Sequence, residues 1–146
     1  MGWLSRHLDS TDRVGLFVDG PNVLREEFDV DLDELRETAG ERGTLGLTRL
    51  YLDEKASAGL IQAGEAHGFD VRITSGDVDV KLAVDATAAI QAADLDLLAI
   101  ATRDIDFKPV VELANEAGIG TLAIAPGSHG RSDALVAAAD DAVVLD

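Results

Sequence analysis

An acidic turn follows an apolar run in Val14-Gly-Leu-Phe-Val-Asp-Gly-Pro-Asn22. The same change occurs further along, where Leu95–Ala101 leads into Thr102-Arg-Asp-Ile-Asp-Phe107. Both runs have the length and the Val, Ile and Leu content of strands that are buried on both faces of a parallel sheet. Sheets of that kind bind ligands at the carboxyl ends of their strands. The carboxylates that follow the two runs are therefore predicted to lie at a ligand-binding edge.

Predicted strands and helices alternate along the chain. The strands are Val14–Val18, Leu45–Leu52, Val71–Thr74, Leu95–Ala101, Thr121–Ala125 and a short edge strand at Ala142–Leu145. The helices run from Asp29 to about Ala39, and over Lys55–His67, Asp79–Ala92, Asp106–Ala117 and Ser132–Ala139. Right-handed crossovers then give a three-layer α/β/α, Rossmann-like domain whose central parallel sheet has five or six strands. We expect one domain over residues 13–146, after a polar lead-in at residues 1–12.

The chain is strongly acidic, with a net charge of −16 from 28 acidic and 12 basic side chains in 146 residues. Setting aside a few site carboxylates leaves the balance negative, so the acidity is spread over the surface. Such a surface repels itself in dilute buffer and is screened in concentrated salt. This favours a salt-accumulating, halophilic source, and a surface made for a basic protein partner is the alternative. Either way, the usual basic stripe of a nucleic-acid binder is missing from the sequence.

Other classes of protein are disfavoured by what the sequence lacks. It has no cysteine, which excludes disulfides and thiolate metal sites. It has no apolar run of about 18 residues for a membrane span, and its first residues are too polar for a signal peptide. A Gly-rich phosphate loop, a dinucleotide fingerprint and a nucleophilic triad are missing as well. We expect a cytoplasmic protein without a membrane partner.

The turn at Asp19-Gly-Pro-Asn22 has two interpretations. Asp, Gly, Pro and Asn are the commonest turn residues, so it could be a turn and nothing more. Asp19 nevertheless comes directly after a buried strand, and Asn22 can point back toward it. Gly20 would also let the backbone approach a ligand closely. Both interpretations stay open on this motif alone.

The second acidic motif has more oxygen-bearing side chains than the capping of a helix requires. One N-cap would explain one of its side chains. Thr102, Asp104 and Asp106 nevertheless place three oxygen-bearing side chains within five positions. Two carboxylates that face Asp19 across the sheet edge suit Mg²⁺ or Mn²⁺, which prefer oxygen ligands.

A third acidic segment lies on the helix after the third strand. Between residues 80 and 90 the only polar side chains are Lys81, Asp85 and Thr87, which predicts a largely buried helix. A buried carboxylate needs a partner or a ligand, so Asp85 either pairs with Lys81 at i,i+4 or serves the site. About 240° and 9 Å separate Asp79 from Asp85 on an ideal helix. Asp79 is therefore predicted to bind metal directly, and Asp85 to orient a water or support the ligands.

Together these motifs resemble a known family. They are Phe17-Val-Asp-Gly-Pro-Asn22, Val78-Asp-Val-Lys-Leu-Ala-Val-Asp85, and Thr102-Arg-Asp-Ile-Asp-Phe107 with Pro109 and Glu112–Gly118. In order and spacing they are similar to an archaeal-type NYN domain, a family of the PIN-like metal-dependent ribonucleases, over roughly residues 13–146. The resemblance implies the sheet order 3-2-1-4-5, which makes the first and fourth strands neighbours.

The resemblance also implies the chemistry. Its acidic site would comprise Asp19, Asp79 or Asp85, Asp104 and Asp106, holding Mg²⁺ or Mn²⁺ for the hydrolysis of RNA. Asn22 and Thr102 would be polar helpers, and Lys81 and Arg103 are among the few cations available to the substrate. Many members have Gly and Ser where this chain has Arg103 and Ile105.

Three functions follow from this interpretation. The first is a metal-dependent endoribonuclease that acts on RNA. The second is a non-catalytic module that keeps the pocket to bind RNA or a protein, and the third is phosphoester chemistry on a small molecule. A homo-oligomer is compatible with each of them.

Overall fold

The structure is a computed structural model that describes residues 12–24, 30–127 and 133–145. Six parallel strands form one sheet in the order β3-β2-β1-β4-β5-β6. The strands are Arg13–Asp19 (β1), Thr44–Asp53 (β2), Asp70–Thr74 (β3), Leu97–Ala101 (β4), Gly120–Ala125 (β5) and Asp141–Val144 (β6). The order expected for the first five strands is confirmed, and the short edge strand extends it. The expected lead-in at residues 1–12 lies outside the described residues, except for Asp12.

Helices cover both faces of this sheet. They are Gly20–Val23 (α1), Leu32–Gly40 (α2), Ala58–Ala66 (α3), Val78–Gln91 (α4), Lys108–Glu116 (α5) and Asp133–Ala138 (α6), with a 3₁₀ turn at Ile105–Phe107. Side chains of α2 and α3 pack on one face, and those of α4, α5 and α6 pack on the other. The three-layer α/β/α architecture is therefore confirmed. Within the described ranges, no helix is long and apolar enough to cross a bilayer.

Two helices begin later than the sequence suggested, because local capping chemistry sets their starts. Ser57 caps α3, since its Oγ accepts a hydrogen bond from the backbone N–H of Leu60 at 3.1 Å. The helix expected from Asp106 begins only after the 3₁₀ turn, with Pro109 in the first turn of α5, where its missing N–H is tolerated. The expected start of α2 at Asp29 lies outside the described residues, and Asp31 caps that helix.

The centre of the sheet positions the acidic motifs. From Val14 to Asp19, β1 is buried between β2 and β4, which explains its continuous apolar run. In the β1–β4 ladder Val18 pairs with Ala101. The residues that follow this pair, Asp19 and Thr102, therefore emerge side by side at the carboxyl edge.

Gly20 has a packing role that its sequence did not indicate. A Cβ built on it would lie 2.5 Å from the carbonyl oxygen of Tyr51 and 2.5 Å from Leu52 Cδ2. The glycine therefore lets α1 start directly against β2. The close approach of a ligand at Gly20 stays a prediction.

The expectation that α4 is largely buried is wrong for its outer face. Val78, Leu82 and Ala86 do pack into the core. Val80 and Val84, however, are 57% and 59% exposed. A helix on the outside of a sheet buries only one stripe, so an apolar composition all round the helix does not bury the opposite side.

Candidate metal centre

One buried hydroxyl joins the first and second acidic motifs. The Oγ1 of Thr102 donates a hydrogen bond to Asp19 Oδ2 at 3.0 Å. The same oxygen accepts one from the backbone N–H of Asp104 at 3.1 Å. Because β1 and β4 are neighbours, residues 83 positions apart share this link. The predicted convergence of the two strand ends is therefore observed.

Asp19 is a buried carboxylate at the carboxyl end of β1. Its residue is 1% exposed, and its Oδ2 also accepts a hydrogen bond from Asn22 Nδ2 at 2.7 Å. Burial raises the pKa of Asp19, the hydrogen bonds from Asn22 and Thr102 partly oppose this, and the charges of Asp104 and Asp79 add to the rise. An added positive charge would relieve the cost of ionising this group.

Three further carboxylates form a group that we call the acidic triad: Asp79, Asp104 and Asp106. One carboxylate oxygen from each lies within 4.8 Å of the others. Asp79 stands in the first turn of α4, Asp104 follows β4, and Asp106 belongs to the 3₁₀ turn. Metal–oxygen distances are about 2.0–2.6 Å, so oxygens with this spacing can surround a single ion. The second and third predicted motifs supply the acidic triad, and the first supplies the buried Asp19.

Local hydrogen bonds shape the triad from within its own loops. Asp104 Oδ1 accepts from the backbone N–H of Asp106 at 2.9 Å, which closes a tight turn. Asp79 Oδ1 accepts from the backbone N–H of Val80 at 2.9 Å, at the positive end of the α4 dipole. Asp104 therefore has the structural role that the capping alternative required, in addition to its place in the triad.

Asp85 lies in a different environment, which we call the Asp85 network. Its Oδ2 accepts a hydrogen bond from the Tyr51 hydroxyl at 2.8 Å and lies 3.7 Å from Arg72 Nη1. Its Oδ1 lies 3.1 Å from Lys81 Nζ, which is the i,i+4 pair weighed from the sequence. Burial by itself raises the pKa of Asp85, but the hydrogen bonds from Tyr51 and Lys81 and the two positive charges bring that pKa below its ordinary value.

Sequence reasoning missed Tyr51 and Arg72. Tyr51 is fully buried, stacks on Phe17 with ring centroids 6.3 Å apart, and pairs with Asp19 in the β1–β2 ladder. Burial and the neighbouring Asp85 carboxylate raise the pKa of the Tyr51 hydroxyl, so it donates a proton to the hydrogen bond at neutral pH. The available signal was that Tyr51 is the single tyrosine of the chain, in the strand beside β1.

The residues expected to contact substrate have different surroundings. Asn22 and Thr102 both donate to Asp19, and Thr102 is only 2% exposed. Lys81 is 45% exposed at its side chain and belongs to the Asp85 network. Arg103 is half-buried in the loop after β4. The first two side chains therefore hold Asp19, and of the two cations Lys81 is the exposed one.

Comparisons with known proteins agree with this architecture. An uncharacterized protein of the archaeon Methanocaldococcus jannaschii, MJ0482, is 44% identical over 128 residues, which cover 88% of this chain and 53% of that protein. The chain thus spans about half the length of this curated relative. The crystal structure of a protein of unknown function, VPA0982 from Vibrio parahaemolyticus, superposes with a TM-score of 0.80. Its sequence is 20% identical, with 94% of this chain and 95% of that chain covered, so it shows a shared fold.

The family itself follows from the match along the sequence. The sequence model of the NYN domain matches residues 13–146, which include all three acidic motifs. The archaeal relative agrees with the archaeal type that the motifs suggested. The chain therefore belongs to the NYN domain family, whose fold is that of the PIN-like nucleases.

Proposed function

We propose that this protein is a cytoplasmic endoribonuclease that depends on Mg²⁺ or Mn²⁺. The acidic triad carries the proposal, since three carboxylate oxygens lie within 4.8 Å of one another at the carboxyl edge of a parallel sheet. Like charges this close raise one another's free energy, and a divalent cation removes that repulsion. The NYN family match supports a nuclease as the owner of such a site.

The donor set fits a hard cation. Asp79, Asp104 and Asp106 offer only carboxylate oxygens, which Mg²⁺ and Mn²⁺ prefer over softer metals. Asp19 lies outside the group within 4.8 Å and would support the set from the buried side, because Thr102 Oγ1 links its carboxylate to the backbone of Asp104. When bound, the cation would supply Lewis acidity toward a phosphodiester and lower the pKa of a water.

The chain's own residues would organise this chemistry. Asn22 and Thr102 hold Asp19 through hydrogen bonds of 2.7 and 3.0 Å, which keeps its carboxylate in one orientation. Arg103 follows directly after Thr102 and would contact the scissile phosphate, where a guanidinium can bind in a bidentate way. We assign Asp85 a positioning role, because its bond to Tyr51 fixes α4, and with it Asp79, against β2.

A non-catalytic module that binds RNA or a protein is the second candidate. The net charge of −16 favours its protein-binding form, since a basic protein is attracted to such a surface whereas RNA is repelled by most of it. A module of this kind would bind RNA equally well in EDTA and would never shorten it.

The deciding experiment incubates the full chain with labelled single-stranded RNA in concentrated KCl, with Mn²⁺ or with EDTA. High salt is used because it screens the repulsion among the chain's own charges. We expect cleavage that requires Mn²⁺ and falls by about 100-fold or more in Asp104→Asn. Asp94→Asn is the matched control, since Asp94 is exposed beyond the end of α4. An Asp104→Asn variant that cuts as fast as the parent contradicts the proposal.

A further inference from the structure

The outer face of α4 differs from the acidic surface expected of this chain. Val80 and Val84 are 57% and 59% exposed, and Ala88 and Gln91 continue the same exposed stripe. The one acid between Val80 and Gln91 is Asp85, whose side chain is only 11% exposed and is held in its network. This stripe therefore presents almost no negative charge to solvent.

Cations flank the stripe on the side of β3. Lys81 and Arg72 have side chains that are 45% and 37% exposed, and both lie against the Asp85 carboxylate. Arg72 also contacts Asp70 at 2.9 Å, and Arg49 lies 4.0 Å from that same carboxylate. In these ion pairs three cations share two carboxylates, in a chain where acids outnumber basic residues by 16.

The other side of α4 has the opposite sign. There a groove between α4 and α5 is lined by Thr87, Pro109, Glu112 and Glu116. Both glutamates are exposed, so they repel a polyanion. A phosphate chain that approaches α4 is therefore directed toward Lys81 and Arg72.

The stripe also leads to the acidic triad. Asp79 belongs to the triad and directly precedes Val80 on the same helix. A ligand that lies along the exposed valines thus has one end at the candidate metal centre. We call the combined surface of Val80, Val84, Lys81 and Arg72 the α4 corridor.

Resting on the proposed function, we propose that single-stranded RNA reaches the metal centre along the α4 corridor. Its phosphates would contact Lys81 and Arg72, and its unstacked bases would lie on Val80 and Val84. Unpaired bases expose apolar faces that need such a surface, whereas a duplex hides them. Two cations would also hold a duplex only weakly, since its binding depends on many phosphate contacts.

The test measures binding without cleavage. A labelled 12-nucleotide single-stranded RNA is titrated in EDTA at several KCl concentrations, with fluorescence anisotropy as the readout. We expect the double variant Lys81→Gln/Arg72→Gln to bind about 10-fold more weakly, and its salt slope to fall by about 1.4, or 0.7 for each lost contact. Arg13→Gln/Arg42→Gln removes the same charge near the amino ends of β1 and β2 and should change affinity less than about 2-fold. Equal losses in the two double variants overturn the corridor.

A gain of affinity guards against variants that fail to fold. Val84→Lys adds a cation at a position that is 59% exposed, so we expect it to fold and to bind the RNA about 3- to 5-fold more tightly. Unchanged or weaker binding overturns the proposal. A second outcome also overturns the proposal. If the parent is a dimer by light scattering and Val84→Asp converts it to monomers, a second copy of the chain covers this face.

The corridor and the nuclease activity can fail separately. A parent that binds this RNA through the corridor but never shortens it with Mn²⁺ contradicts the proposed function and supports the corridor. A parent that cuts RNA with an affinity indifferent to Lys81 and Arg72 overturns the corridor and leaves the nuclease proposal standing.

Discussion

One helix carries two aspartates with opposite surroundings. Asp79 lies in the acidic triad, where its neighbours are carboxylates within 4.8 Å. Asp85, six residues later, accepts a hydrogen bond from Tyr51 and lies against Lys81 and Arg72. An aspartate therefore adds to the repulsion between carboxylates at one end of α4. Further along the helix, the cost of burying its charge is offset by a hydroxyl and two cations. What differs is the set of partners that the neighbouring strands supply.

The largest expected effect separates the two aspartates by activity. We expect Asp79→Asn to reduce Mn²⁺-dependent RNA cleavage by about 100-fold or more, because it removes an oxygen from the metal centre. Asp85→Asn should reduce cleavage by less than about 10-fold, since it leaves the triad intact. Single-turnover rates for the two variants measure this difference. Equal losses would mean that the two carboxylates share one role.

The next effect concerns stabilisation by metal. Mn²⁺ at about 100 times its dissociation constant should stabilise the fold by about 2.7 kcal/mol. We expect Asp85→Asn to keep this increment, and Asp79→Asn to lose most of it. Thermal melts with Mn²⁺ and with EDTA give the increments directly. An unchanged increment in Asp79→Asn would show that the ion binds elsewhere.

Asp85→Asn should have the larger effect on the fold without metal. We expect a loss of about 1–2 kcal/mol at pH 7, because Lys81 and Arg72 lose a half-buried charge partner. The hydrogen bonds and cations around Asp85 hold its folded-state pKa below its ordinary value. Its charge therefore contributes stability in full above that ordinary value, and the contribution is lost as the pH falls through the folded pKa. In denaturant unfolding, the difference between the parent and Asp85→Asn should therefore narrow as the pH falls below the ordinary pKa of an aspartate. A difference that stays constant with pH would contradict the assignment of charge to Asp85.

The smallest effect isolates the Tyr51 hydroxyl. Tyr51→Phe removes one hydrogen bond and keeps the ring stacked on Phe17, so we expect a loss of about 1 kcal/mol. In Asp85→Asn the same change should cost less, since the charged acceptor is already gone. A double-mutant cycle measures the coupling, and strictly additive losses would show that the two groups do not interact.

The alternation of strands and helices could be predicted from the sequence because it depends on local patterns, and the meeting of two motifs could be predicted because those motifs resemble a known family. Buried parallel strands have a recognisable composition, and their carboxyl ends meet at one edge of the sheet. The family resemblance adds the strand order, which makes β1 and β4 neighbours and places Asp19 beside Asp104. The partner of Asp85 could not be predicted in this way. It depends on which residue of β2 lies level with Asp19 and faces α4, and neither register nor helix rotation is visible in a single sequence.

The burial of α4 was predicted wrongly, because it was inferred from the composition of the helix and not from its packing. Val80 and Val84 belong to a helix that is apolar nearly all round, so the sequence suggested a buried helix. Only the placement of α4 on the outside of the sheet shows which stripe faces solvent. Those two exposed valines form the apolar part of the α4 corridor.

The most direct test is a crystal structure of the full chain grown with Mn²⁺, with anomalous difference density used to locate the ion. We expect a peak among the carboxylates of Asp79, Asp104 and Asp106, with metal–oxygen distances of about 2.0–2.3 Å. Crystals saturated with Mn²⁺ that show no peak there, or show one only beside Asp85, would contradict the account.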